Sequence, residues 1–112
     1  MDKEILENNV LIAEFMGAEK IQYPAPIYGI YKFPVSPDKK HTKMDAIYFE
    51  YHTSWDWLFP VIKKCNETTI GYALPAAYEQ IENALIELNR EKVYAAIIKF
   101  IKTYNQIAYG NK

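Results

Sequence analysis

The sequence predicts a small α+β domain, an antiparallel sheet of about three strands packed with three to four helices. Three observations predict it. Residues 45 to 51 alternate apolar and polar side chains, as a half-buried strand does. Val93, Ile97, Phe100, Ile101 and Tyr104 recur at helical spacing, with Tyr94 and Ile98 widening the stripe. Between Ala18 and Lys43 the chain is rich in proline and tyrosine, which favours extended structure over helix.

In chain order, Ile5, Leu11, Ile12, Phe15 and Met16 predict a helix over about 3–16, with Gly17 as its left-handed cap. Asn8 and Asn9 are poor interior residues, so the regular helix is expected after them. Ile27 to Phe33 reads as an edge strand flanked by prolines, and Ser36 to Lys43 as an exposed turn joining two strands. Asp45 to Tyr51 is the strongest strand signal, with Ile47, Phe49 and Tyr51 on one face and Tyr48 and Glu50 on the other.

The stretch YFEYHTSWDWLFPVIKK (48–64) then reads as strand, hydroxyl cap and amphipathic helix. Thr53 or Ser54 is the cap; with Thr53, Asp56 completes a capping box. Trp55, Leu58, Phe59 and Ile62 form the apolar stripe, and Pro60 interrupts the ladder. Asn66 to Thr69 reads as a turn and Ile70 to Leu74 as a short strand. Pro75 opens a helix carrying Tyr78, Ile81, Leu85 and Leu88, and Asn89 caps a last helix to about Gln106.

The 112 residues fit one domain, 1–112, with a single core. The 13 Lys+Arg against 14 Asp+Glu give a formal charge of −1, so no global field draws the chain to duplex nucleic acid or an anionic membrane. The lone Cys65 excludes an internal disulfide, and the amino terminus lacks a signal-peptide core, so the expected setting is cytoplasmic. Two histidines and one cysteine without paired ligand spacing point to no metal. Four glycines supply no phosphate loop, and no cofactor is expected.

Three segments, NVLIAEFMG (9–17), YHTSWDWLFPVIKK (51–64) and VYAAIIKFIKTYN (93–105), resemble a group of small proteins encoded by phages and prophages. Their layout is similar to the phage ABA-sandwich domain. The resemblance implies a fold and a viral or prophage setting, hence a host-cell cytoplasm, and it transfers no catalytic residue. It also implies a strand hairpin over Leu74 to Leu88, where the periodicity implies a helix.

Candidate chemistry is sparse. His52 and Asp56, four apart, could form a base with its orienter, but no nucleophile accompanies them, and Asp56 capping the helix with His52 in the turn is the favoured reading. Cys65 reads as a buried small hydrophobe. Trp55 and Trp57 point about 200° apart on a helix, so with Trp55 in the core Trp57 faces a partner or a second layer. Lys39, Lys40, His41 and Lys43 form the basic cluster, between aromatic strands carrying Tyr28, Tyr31 and Tyr48. Aromatic stacking plus a few lysines is the minimum that holds a small nucleotide.

The expected function is therefore non-catalytic binding. A phage accessory protein would sequester a small anionic, nucleotide-like ligand, such as an immune signal, through Tyr28, Tyr31, Lys39, Lys40, Lys43, Tyr48, His52 and Trp57. A homo-oligomer is expected, because such sites are often shared between chains. The alternative is an interaction module that engages a host protein through an aromatic face at Trp57. A small hydrolase using His52 and Asp56 is the third reading.

Overall fold

The computed structural model describes residues 2–21, 29–72 and 74–110. Four helices and a three-stranded antiparallel sheet make it α+β, as the sequence predicts. The chain divides into two compact units, one ending at Trp57 and the other beginning at Leu58.

In the first unit Asp2 caps helix α1 (Lys3–Phe15), its carboxylate accepting from the Glu4 amide at 2.7 Å. The helix does not wait for Asn8 and Asn9 to pass. Asn9 is fully buried in it, beside Ile12, Ala13 and Phe15 on the inner face. A mid-helix asparagine costs about 0.5 kcal/mol relative to alanine. Two tertiary hydrogen bonds, described below, offset that cost. At the far end Gly17 has φ +92°, and the Gly17 and Ala18 amides bond back to the Glu14 and Ala13 carbonyls. This pairing closes the helix with the left-handed residue that glycine supplies most cheaply.

Three short strands follow, β1 (Glu19–Ile21), β2 (Ile30–Lys32) and β3 (Lys43–Asp45), in the order β1-β2-β3. Tyr31 pairs with Lys20 on one side and with Met44 on the other. The expected edge strand is thus the central one, and the part of it before Gly29 lies outside the described residues. β1 has no apolar alternation, so no sequence pattern marked it. The loop from Phe33 to Thr42 joins β2 to β3 as expected, closed by the Phe33 amide on the Thr42 carbonyl at 2.7 Å.

The strand expected over Asp45 to Tyr51 is corrected. β3 ends at Asp45, whose carboxylate accepts from the Ile47 amide and turns the backbone into a 3-10 turn at Ala46–Tyr48. The alternation survives only from Tyr48 to Tyr51, where Phe49 and Tyr51 are buried and Tyr48 and Glu50 exposed; before it Ala46 is fully buried and Ile47 half-buried. A tight turn followed by extended backbone at Phe49 (φ −67°, ψ 135°) produces it without a ladder. Period two in burial is not proof of a strand.

Helix α2 (Trp55–Tyr72) starts on Ser54, whose hydroxyl accepts from the Trp57 amide at 3.4 Å. The Thr53 capping box does not form, since the Thr53 hydroxyl turns back to the Glu50 carbonyl. The helix continues across Pro60 and through Asn66 to Thr69, where a turn was expected, and it includes Ile70 and Tyr72 instead of a strand. The Thr69 hydroxyl donates to the Cys65 carbonyl at 2.9 Å, so this turn-forming side chain is satisfied inside the helix.

In the second unit Leu58, Val61, Ile62 and Cys65 are buried along α2 at spacings of three and four. Phe59, expected on that stripe, is exposed. Burial pushes the Cys65 thiol up to about 12, which removes it as a thiolate nucleophile. Pro75 stands at the first position of α3 (Pro75–Ile86), and Asn89 caps α4 (Arg90–Tyr109) by accepting from the Lys92 amide. The hairpin implied for 74–88 is therefore a helix, as its periodicity indicated. Val93, Ile97, Ile98, Phe100 and Ile101 are buried on α4, which packs with α3.

Leu88 is not on the stripe. It ends α3 in a left-handed conformation, φ +53°, with its side chain exposed. Its amide and that of Asn89 bond to the Leu85 and Ala84 carbonyls, so leucine occupies a position that favours glycine. Leu88→Gly is expected to stabilise the protein by about 0.5–1 kcal/mol, because a left-handed L-residue costs more than glycine's extra chain entropy. A higher urea midpoint at unchanged slope is the measurement.

Candidate functional site

Phe49 organises the first unit. Its ring lies 5.7 Å from Tyr31, 5.4 Å from Phe33, 6.1 Å from Tyr51 and 6.2 Å from Trp57, mostly edge to face. Tyr51 and Trp57 pack at 4.9 Å, nearly perpendicular. The cluster accounts for Tyr31 (5% exposed) and Trp57 (4% exposed) as core residues. Trp57 presents no face to a partner, which corrects the interaction surface expected there; Trp55 is the half-buried one of the pair. Burial first, and the Glu14 carboxylate second, raise the Tyr31 hydroxyl above its ordinary range.

The same turn that sends Phe49 inward throws Tyr48 outward, where 69% of it is exposed. Beside it opens a cleft of about 710 Å³. That falls within the range of small-ligand pockets, about 300–1,000 Å³. Met44, Ile47 and Phe49 supply apolar wall, and Lys43, Tyr48 and His52 contribute polar or aromatic groups. Three sequence candidates therefore share one cleft. Lys39 and Lys40 are exposed on the loop without lining it, and Tyr28 lies outside the described residues.

His41 and Asp38 also line the cleft. Asp38 is bound on every side, accepting from the Ser36 hydroxyl and the Lys40 and His41 amides through Oδ1, while Oδ2 faces His41 Nδ1 at 2.7 Å. The His41 bond, above all, holds the carboxyl well below the usual range. The Asp45 carboxylate is likewise turned to the Ile47 amide. Asp38 could have been found from Ser36-Pro37-Asp38, since aspartate after a proline favours a turn in which its carboxylate accepts from the backbone amides that follow.

His52 is not oriented by Asp56. Its Nδ1 lies 2.9 Å from the Asn9 amide nitrogen, which also reaches the Phe49 carbonyl at 3.4 Å. The His52–Asp56 dyad is corrected accordingly, and Asp56, exposed in the first turn of α2, complements the helix dipole. Asn9 was passed over because asparagine reads as a helix breaker. Its position three before Ile12 and four before Ala13, on the inner face, was the available signal.

Among the described residues no group of three His, Cys, Asp or Glu side chains could hold a metal, and no helix is long and apolar enough to cross a membrane. No protein-family model, no curated protein and no solved structure matches the chain.

Proposed function

We propose that this protein is a non-catalytic binding protein that holds a small nucleotide-like ligand in the cleft beside β3. The observation that carries the reading is the gathering of Lys43, Tyr48 and His52 around one opening of ligand size. Tyr48 offers an exposed ring for stacking. Lys43 supplies a cation to the cleft lining. Oligomerisation and a phage or prophage setting belong to the same proposal, the latter resting on the three resembling segments.

Thermal-shift and calorimetric titration against nucleosides, nucleoside monophosphates and cyclic dinucleotides tests it. Base stacking contributes about 1–3 kcal/mol per base, so Tyr48→Ala is expected to raise Kd roughly tenfold for whichever ligand binds. The exposed Tyr48 side chain makes a folding defect an unconvincing cause, and the unliganded Tm should stay unchanged. No binding across the panel would remove this function.

A further inference from the structure

Two lysines stand directly opposite each other in the sheet, Lys32 of β2 and Lys43 of β3. The ladder fixes how close they come. In the same register the Phe33 amide donates to the Thr42 carbonyl, and the Ala46 amide to the Gly29 carbonyl. Hydrogen-bonded and non-hydrogen-bonded pairs alternate along an antiparallel ladder, so Lys32 and Lys43 form a non-hydrogen-bonded pair. In such a pair the Cα atoms lie about 4.5 Å apart and the side chains approach most closely. Tyr31, which points to the opposite face, is buried, and both lysines are exposed.

Like charges directly opposite in a sheet destabilise it. The neighbours offset only part of that repulsion. Glu19 faces Lys32 from β1, so across this row of the sheet the charges run minus, plus, plus. Among the described residues neither lysine is in an ion pair. Asp38 and Asp45 already have donors of their own, so among the carboxylates lining the cleft only Glu50 is left to oppose the two cations.

We infer that the Lys32–Lys43 pair seats the phosphate of the ligand at the edge of the cleft, so that the ligand is a nucleotide rather than a nucleoside. Lys43 belongs both to the pair and to the cleft lining, which it shares with Tyr48. An anion set between two ammonium groups replaces their repulsion with two charge-assisted hydrogen bonds. Lysine binds phosphate as a point charge and needs no guanidinium fork. Lys32 has no signature in the sequence, because only the strand register brings it beside Lys43. This inference rests on the binding reading above and names the ligand group that carries the charge.

Calorimetric titration at low salt, where charge contacts are least screened, tests it with nucleoside 5′-monophosphates, cyclic dinucleotides, the parent nucleosides and inorganic phosphate. For the tightest-binding nucleotide, Lys32→Gln and Lys43→Gln are each expected to raise Kd about tenfold, the effect of one charge-assisted hydrogen bond. The Kd of any nucleoside that binds should change less than about twofold, since it offers no ionised acceptor. Lys102→Gln, exposed on α4, removes the same net charge and should leave the nucleotide Kd within about twofold. The unliganded Tm of Lys32→Gln should stay level or rise as the repulsion is relieved. An unchanged nucleotide Kd in Lys32→Gln, an equal loss in Lys102→Gln, a nucleoside that binds as tightly as its nucleotide, or a fall in that Tm overturns the inference and leaves the binding reading standing. If inorganic phosphate alone binds, and binds more weakly to Lys32→Gln, the lysine site stands and the nucleotide reading falls. No binding of any probe removes both.

Discussion

Phe49→Ala is expected to destabilise the protein by about 3–5 kcal/mol, the usual cost of removing a buried aromatic ring. Phe49 is 1% exposed, and four other rings lean on it, so the cavity left behind cannot be filled by a single rotamer change. Aromatic pairs add roughly 0.5–1.5 kcal/mol each beyond their buried area, which pushes the loss toward the upper end. Against a total stability of about 5–15 kcal/mol, such a loss leaves the folded state marginal. Phe49→Leu keeps much of the volume and should cost about 1–2 kcal/mol. Denaturant unfolding of both variants gives the comparison. A loss below roughly 1 kcal/mol for the alanine variant would mean that the ring is not the hub the geometry makes it.

The ring also ties the core to the cleft. Phe49 lies in the cleft wall, its carbonyl accepts from Asn9, and its neighbour Tyr48 is the exposed ring. Stability and site therefore share a few residues of backbone, and substitutions at Phe49 are unsuitable for testing binding. Tyr48 and Lys43, whose side chains reach outward, are suitable.

What the sequence made legible follows from how local each cause is. Pro75 and Asn89 acted through their own backbone, and the α4 stripe is long enough for its period to be unambiguous. The length of α2 was not legible, because Asn66 to Thr69 are turn formers by composition. Their inclusion depends on a hydroxyl finding the Cys65 carbonyl one helical turn back. Residues 45 to 51 misled for a different reason: after a 3-10 turn that buries Ala46, extended backbone buries Phe49 and Tyr51 alternately, as a strand would. Lys43, Tyr48 and His52, which line the cleft, were candidates by residue type alone. The partners that give them meaning, Asn9 and the Asp38–His41 pair, were not. Asn9 reaches His52 across 43 positions, a contact that only the folded chain creates.

That long-range contact carries the second large effect. Asn9→Leu keeps the branched outline of the side chain and gains a few tenths of a kcal/mol in helix propensity. It nevertheless withdraws a donor from two acceptors in a buried setting, the Phe49 carbonyl and His52 Nδ1. Loss of a partner for a buried polar group costs about 1–3 kcal/mol, so the variant should be less stable by that order despite its better helix former and its added apolar surface. A merely structural role for Asn9 predicts the same loss, and a double-mutant cycle with His52→Ala separates the two. If the amide acts on the ring, the two substitutions are non-additive, with a coupling of at least about 0.5–1 kcal/mol. The His52 tautomer supplies an independent readout. Asn9→Leu removes the donor that favours an accepting Nδ1, and the ring should redistribute its proton between the two nitrogens. Additive energies together with an unchanged tautomer would place the control of His52 elsewhere than in Asn9.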